Sequence, residues 1–140
     1  MSDWHTFDVR VYFEDTDAQG VVYFANYLKF MERGRTEWLR DLGIQQDELI
    51  DDHGICFALT ESDARFHRPA RFNDRLQVRT RLVEHSRVRF ELEQAVGRAD
   101  GELLCSARCV AACIDATSFR PRRIPADVLA TVTASAASNN

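Results

Sequence analysis

Apolar and polar residues alternate near the start of the chain, over Phe7–Phe13, and this period of two predicts a β-strand. Further on, the apolar residues recur every three or four positions, as they do along one face of a helix. The members of this stripe are Tyr27, Phe30, Met31, Gly34, Trp38 and Leu42. The pattern predicts one long helix that begins at about Val22 or Asn26 and ends at Leu42, because Gly43 is a natural stop.

Gly34 stands in the middle of this predicted helix, where glycine is about 1 kcal/mol less favourable than alanine. Such a cost indicates that packing requires the small residue. We therefore expect another element to approach this face of the helix closely.

The rest of the chain predicts a short helix over Gln45–Asp52 and then mostly β-structure. The predicted strands are Ile55–Arg68, Leu76–Glu84, Val88–Val96 and Glu102–Asp115. Hairpin turns join them, and the Asp100-Gly101 pair is the strongest turn signal. A brief helix is expected near Ala126, and the small polar residues 131–140 predict a disordered tail.

This order of elements predicts an α+β fold in which a five-stranded antiparallel sheet wraps around one long central helix. We expect it to form a single domain over residues 1–130. The edge strands and the outer face of such a sheet need cover, which indicates an oligomer.

Composition excludes several classes of protein. The chain has 140 residues, 45% of them hydrophobic and 29% charged, with a net charge of −4. These values are typical of a globular domain and argue against non-specific nucleic-acid binding. No apolar run approaches the roughly 20 residues that span a bilayer, and the first ten residues lack an apolar signal-peptide core. The expected location is therefore the cytoplasm.

The cysteines and histidines carry no metal or redox pattern. The four cysteines include no CxxC, and we expect them to be buried free thiols. Cys105, Cys109 and Cys113 would share one face of a strand. The histidines, which are expected on the surface or on strands, are His5, His53, His67 and His85. No GxSxG elbow, phosphate loop or HExxH motif is present, although a dispersed Ser-His-Asp or Cys-His site is not excluded by sequence.

Three carboxylates, those of Glu14, Asp15 and Asp17, lie close together just before the predicted long helix. One interpretation is a helix-entry loop in which Asp and Thr act as turn and capping residues. The other is catalytic. Free N–H groups at a helix N-terminus can polarise a carbonyl, while a nearby carboxylate attacks it or activates a water.

The segment Arg10–Arg40, which contains DTDxxGVVYxxxY, resembles the signature of the 4-hydroxybenzoyl-CoA thioesterase family. It is most similar to the YbgC-like branch of acyl-CoA thioesterases, which is associated with the Tol–Pal system. The similarity continues through Phe66–Leu76 and ends in Arg120–Pro125. It implies a hotdog fold, hydrolysis of an acyl-CoA without metal or other cofactor, and a homodimer at minimum, with a homotetramer expected.

The resemblance also implies roles for individual residues. Asp17 matches the family's catalytic carboxylate, and the backbone N–H near Phe24 matches the donor that polarises the thioester. Asp15 is interpreted as structural. The neighbouring motif positions, expected to bind the acyl substrate, are Val22, Tyr23, Asn26 and Tyr27. The YbgC-like branch often has histidine in place of Phe24, so a proton transfer that needs this histidine is in doubt here.

The resemblance also suggests assignments outside this motif. Related branches place a catalytic glutamate on the central helix, and the candidates here, Glu32 and Glu37, are more simply ion-paired or solvated. The residues expected to contact the phosphates of CoA are Ser86, Arg87, Arg89 and Arg122. The alternatives to a short-chain or aromatic acyl-CoA thioesterase are a non-catalytic acyl-CoA or acyl-carrier binding module and a dehydratase.

Overall fold

The computed structural model describes residues 4–137. Its strands are β1 (His5–Arg10), β2 (Ile55–Phe66), β3 (Arg75–His85), β4 (Arg89–Arg98) and β5 (Leu103–Asp115). The helices are α1 (Phe24–Asp41), α2 (Gln46–Glu48), which continues as a π-helical turn over Leu49–His53, and α3 (Ala126–Ala137). A single 3-10 turn, Phe13–Asp15, lies between β1 and α1.

The described strands form one antiparallel sheet in the order β1-β3-β4-β5-β2, which confirms the predicted five-stranded α+β fold. Residues alternate between the two faces because the side-chain period of a strand is two. Inward residues of β3 and β4, such as Leu76, Val78 and Leu92, are buried. Gly101 has φ +100° in the turn between β4 and β5, as the Asp100-Gly101 signal predicted.

Helix α1 follows the predicted apolar stripe. Its buried residues are Asn26, Tyr27, Phe30, Met31, Gly34, Trp38 and Leu39. The helix ends at the predicted place because Gly43 adopts φ +85°. The Gly43 N–H donates to Arg40 O at 2.9 Å, and the Ile44 N–H donates to Leu39 O at 2.9 Å, which satisfies two terminal carbonyls.

The close approach predicted at Gly34 lies against β3. A Cβ atom added to Gly34 would be 2.5 Å from Val78 Cγ1, a distance at which Cβ atoms in proteins essentially never meet another heavy atom. Beside it, fully buried Gln94 joins helix to sheet. Its Nε2 donates to Met31 O and to Thr80 Oγ1, both at 2.9 Å. The backbone of the helix therefore packs directly on side chains of the sheet at this point.

The C-terminal part of the chain corrects the predicted tail. Residues 131–137 belong to α3, and residues 138–140 lie outside the described residues. Val128 and Val132 are 5% and 0% exposed and pack in the same apolar cluster as Trp38 and Phe90. Because these valines stand four residues apart, they form a stripe that anchors the helix on the core. The prediction underestimated this short stripe among small residues.

The first strand is also shorter than predicted, since β1 ends at Arg10. Tyr12 and Phe13 are 60% and 76% exposed, so the apolar alternation beyond Val11 does not continue the buried face. The backbone N–H of Tyr12 donates to the Asp15 carboxylate at 2.8 Å, which bends the chain into the 3-10 turn.

The cysteines are free, as predicted. Cys105, Cys109 and Cys113 are buried on one face of β5, whereas Cys56 is half-buried. Burial raises the pKa of Cys105 and of Cys113 to about 11, so both thiols stay protonated near neutral pH. These residues act as small apolar side chains in the core.

Replacing Gly34 with alanine tests the contact between helix and sheet. Although alanine favours a helix, the new methyl would collide with Val78. We expect Gly34→Ala to lower the free energy of unfolding in urea by about 1–3 kcal/mol. In the Val78→Ala background the same change should cost less, by on the order of 1 kcal/mol. Strictly additive effects of the two changes would contradict the contact.

Candidate active site

Asp15 fixes the loop that leads into α1. Its carboxylate is buried and accepts hydrogen bonds from Tyr12 N at 2.8 Å and from Asn26 Nδ2 at 2.5 Å. Its backbone oxygen accepts from Tyr23 N at 3.1 Å. These three bonds tie the 3-10 turn to the first turn of the helix, in agreement with the interpretation of Asp15 as structural.

Asp17 lies in a tight turn after Asp15, with its carboxylate exposed. Its backbone N–H donates to Val21 O at 2.9 Å, and Gly20 N–H donates to its carbonyl at 3.0 Å. One carboxylate oxygen, Oδ1, accepts from Gln19 N at 2.8 Å. The other oxygen accepts no hydrogen bond from residues 4–137, so it is available to a ligand.

The Asp17 carboxylate borders a cavity of about 510 Å³, which we call the Asp17 cavity. It is lined by Asp17, Gln19, Val21, Val22, Tyr23, Phe24, Tyr27, Phe66, His67, Arg68 and Pro69. The wall is largely aromatic: the Phe66 ring lies 5.0 Å from that of Phe24 and 5.5 Å from that of Tyr27, centroid to centroid. Such a wall suits an apolar or aromatic group next to one carboxylate.

The N-terminus of α1 opens on the same cavity, since Phe24 is the first residue of the helix. The preceding residue, Tyr23, provides no side-chain capping bond. No acceptor among the described residues bonds the Phe24 N–H. The unpaired first N–H groups of a helix carry partial positive charge. The site therefore combines a free carboxylate oxygen with a free backbone donor.

The residues expected to bind the acyl group are only partly brought together. Val22, Tyr23 and Tyr27 line the Asp17 cavity. Asn26 does not, because its side chain is buried and donates to Asp15. The hydroxyl of Tyr27 accepts a hydrogen bond from Ala70 N at 3.0 Å, and burial raises its pKa. Asn26 and the Tyr27 hydroxyl hold the walls of the cavity in place.

Three of the residues expected to contact CoA lie far in space from Asp17 of the same chain. Ser86, Arg87 and Arg89 are at the β3–β4 turn. The other end of β3, where Arg75 pairs with Arg10, adjoins the Asp17 loop. The 11 residues of β3 separate the two ends by about 33 Å. None of these three residues lines the Asp17 cavity.

Arg122, the fourth expected CoA contact, is engaged elsewhere. Its guanidinium donates to Asp115 Oδ2 at 2.7 Å and to His53 O at 3.3 Å. The pKa of Asp115 is lowered to about 2, first by bonds from the backbone N–H groups of Ser118 and Thr117 and further by Arg122. Arg122 therefore helps to fix the chain after β5 and does not line the Asp17 cavity.

The two glutamates of α1 also lie outside the Asp17 cavity. Glu37 pairs with Arg40, as expected for an ion-paired surface residue. Glu32 borders a separate cavity of about 230 Å³, together with Arg35 and Trp38.

Within residues 4–137, no group of three or more potential ligands could hold a metal ion. None of the described helices is long and apolar enough to cross a membrane.

The cavity wall formed by Phe66, His67, Arg68 and Pro69 was not predicted as part of the site. His67 lies on this wall, with its Nε2 atom 2.9 Å from Ser106 Oγ. These residues are about 50 positions from Asp17 in the chain, and no periodicity links the two segments. The only available signal was the family-like segment Phe66–Leu76 itself.

Comparison with known proteins gives consistent matches over most of the chain. The family model described as the thioesterase-like superfamily matches residues 11–132. The acyl-CoA thioesterase YbgC of Haemophilus influenzae is 38% identical over 130 residues, covering 93% of this chain and 95% of that protein. A 1,4-dihydroxy-2-naphthoyl-CoA hydrolase of Thermosynechococcus vestitus is 33% identical, covering 74% of this chain and 71% of that protein.

Among solved structures, a probable thioesterase from Bartonella henselae superposes with a TM-score of 0.83 at 38% sequence identity. The match covers 87% of this chain and 99% of that one. The shared architecture confirms the hotdog fold expected from the sequence.

Changing Asp15 tests its role in fixing the loop. Both of its carboxylate oxygens accept from N–H donors, so the amide in Asp15→Asn must place one NH₂ group against a donor. We expect a loss of about 1–3 kcal/mol in the free energy of unfolding, measured in urea. The control, Glu14→Gln, removes an exposed neighbouring carboxylate and should leave stability unchanged. Equal stability of the two variants would contradict the role of Asp15.

Proposed function

This chain belongs to the thioesterase-like superfamily, and on that premise we propose that it hydrolyses acyl-CoA thioesters to a free acid and CoA. One observation carries the proposal: a carboxylate with a free oxygen and a helix N-terminus with a free N–H border the same cavity. A thioester carbonyl needs both an attacking group and a donor for its oxygen.

In the proposed mechanism, the thioester carbonyl oxygen accepts a hydrogen bond from the Phe24 N–H. Negative charge develops on this oxygen as the carbonyl carbon becomes tetrahedral, and the partial positive charge of the α1 N-terminus stabilises it. The side chain of Phe24 offers no acid or base. Because the donor is a backbone group, the absence of a histidine at this position leaves carbonyl polarisation intact.

Asp17 is the proposed catalytic carboxylate, and two routes use it. As a nucleophile, it forms a mixed anhydride and expels the CoA thiolate; a water then cleaves the anhydride to the free acid and the Asp17 carboxylate, and the proton released in this step converts the thiolate to the thiol. As a general base, it accepts a proton from the water that attacks the carbonyl, the CoA thiolate leaves from the tetrahedral intermediate, and the proton on Asp17 passes to this thiolate. Both routes give one acid and one thiol per water consumed.

The proposed substrates carry short aliphatic or aromatic acyl groups. The aromatic wall formed by Phe24, Phe66 and Tyr27 supports flat apolar groups. A relative that is named for a naphthoyl-CoA substrate supports the aromatic class further. Val22 and Tyr23 complete the proposed acyl contacts.

We further propose that the protein acts in the cytoplasm, without a metal or cofactor, as a homodimer at minimum and a homotetramer in full. The sheet supports an oligomer because β1 and β2 are both edge strands, and β2 exposes Leu59 and Phe66. A partner subunit would also be needed for the distant Arg87 and Arg89 to reach a CoA bound at Asp17.

The Asp17→Asn variant tests the proposal. We expect it to lose about 10²–10⁴-fold in rate, because the amide neither accepts a proton nor attacks the carbonyl. Release of thiol from a panel of acyl-CoA esters, followed with a thiol-reactive dye, measures this loss. Glu14→Gln removes a neighbouring carboxylate outside the cavity and should keep wild-type turnover. Turnover near that of the wild type by Asp17→Asn would refute the assignment.

The same panel separates the proposed enzyme from a binding module or a dehydratase. A binding module releases no thiol, and a dehydratase forms an alkene from a 3-hydroxyacyl thioester. Trapping of an acyl anhydride, or entry of oxygen-18 from water into the Asp17 carboxylate in a single turnover, would identify the nucleophilic route.

A further inference from the structure

Arg68 is the one lysine or arginine among the described residues that line the Asp17 cavity. We propose that Arg68 binds an anionic group of the substrate at the mouth of this cavity. The group is either a phosphate of CoA or a carboxylate at the far end of the acyl chain. The inference rests on the proposed function, because it concerns the substrate of the same site.

The backbone around Arg68 is held firmly, so its side chain starts from a fixed place. Arg68 N–H donates to Leu104 O at 3.2 Å. The next residue, Pro69, accepts a hydrogen bond through its carbonyl from Arg98 Nη2 at 2.8 Å. One residue further, Ala70 N–H donates to the Tyr27 hydroxyl. The guanidinium therefore projects from a rigid wall, and its side chain is 69% exposed.

The charge of Arg68 is weakly compensated. Its Nε atom lies 3.7 Å from Glu102 Oε2, beyond hydrogen-bond distance. Glu102 is already bonded, since its Oε1 accepts from Arg98 Nε at 2.9 Å. Arg98 also pairs with Asp74. The two terminal nitrogens of Arg68 have no acceptor among residues 4–137, whereas both terminal nitrogens of Arg122 are occupied.

The substrate would bring an anion to this place. The side chain of Arg68 is exposed at the edge of the Asp17 cavity, so a substrate group that extends from the cavity into solvent comes within its reach. Asp17 repels any second anion in the same cavity, and a cation at the mouth offsets this repulsion. The planar guanidinium fork matches two oxygens of a phosphate or a carboxylate.

Four thioesters test the proposal by pairing two acyl groups with two thiols. Butyryl and succinyl differ by a terminal carboxylate. N-acetylcysteamine lacks the adenosine, the pantothenate part and the phosphates of CoA, of which only the phosphates are anionic. The variant is Arg68→Met, which removes the charge and keeps an unbranched chain. The control is Arg65→Met, which removes an exposed arginine near the end of β2, three residues before Arg68, that does not line the cavity. Arg68→Lys, which keeps the charge, should raise KM less than Arg68→Met does.

We expect Arg68→Met to raise KM about five- to tenfold for the esters that carry the recognised anion, with Arg65→Met unchanged. A rise confined to the two CoA esters identifies a phosphate, and a rise confined to the two succinyl esters identifies an acyl carboxylate. Both results support the proposal. An equal rise for butyryl-N-acetylcysteamine, or no rise for any ester, overturns it.

The failure of the proposed function would look different. A wild-type protein that releases no thiol from any acyl-CoA refutes thioester hydrolysis and leaves binding measurable. Calorimetric titration of the wild type and Arg68→Met with the same four esters then gives dissociation constants. Their ratio should follow the same pattern, and equal affinities of the two proteins for all four esters would overturn the role of Arg68.

Discussion

The direct contact between α1 and β3 at Gly34 fixes the depth at which the helix lies on the sheet. Any side chain at this position would meet Val78, so the backbone of the helix packs on the side chain of Val78. Gln94 adds a polar bridge to Met31 O at the same level. Since α1 has 18 residues and is about 27 Å long, setting its depth at Gly34 also sets the position of its N-terminus. The packing of the core therefore determines where the backbone N–H of Phe24 lies.

Two carboxylates of one short loop have different environments, and the proposed mechanism uses only the second of them. Asp15 is buried, and both of its carboxylate oxygens accept hydrogen bonds, so it links the loop to Asn26 of the helix. Asp17 is exposed, and one of its oxygens stays free. Burial and full pairing fix the first carboxylate in a structural role, while incomplete pairing leaves one oxygen of the second available to a ligand. Their different environments distinguish residues that look alike in the sequence.

The parts of the fold that depend on local periodicity could be predicted from the sequence. The apolar stripe of α1, the turn at Gly101 and the stop at Gly43 follow from spacing and backbone preference. The wall at Phe66–Pro69 could not be predicted, because its approach to Phe24 depends on how distant segments pair and pack. The role of Asn26 was missed for a similar reason. The sequence around an asparagine in the first turn of a helix does not show that its side chain is buried. Here the side chain is buried because it donates to the buried carboxylate of the preceding loop.

In the proposed mechanism, the α1 N-terminus and Asp17 act on one thioester carbonyl. Infrared spectroscopy tests it directly on an acyl-CoA carrying carbon-13 at the thioester carbonyl, bound to the inactive Asp17→Asn variant. Polarisation by the Phe24 N–H and the helix terminus predicts that the carbonyl stretching frequency falls below that of the same ester in water. A bound ester whose carbonyl frequency equals or exceeds the value in water would contradict the account.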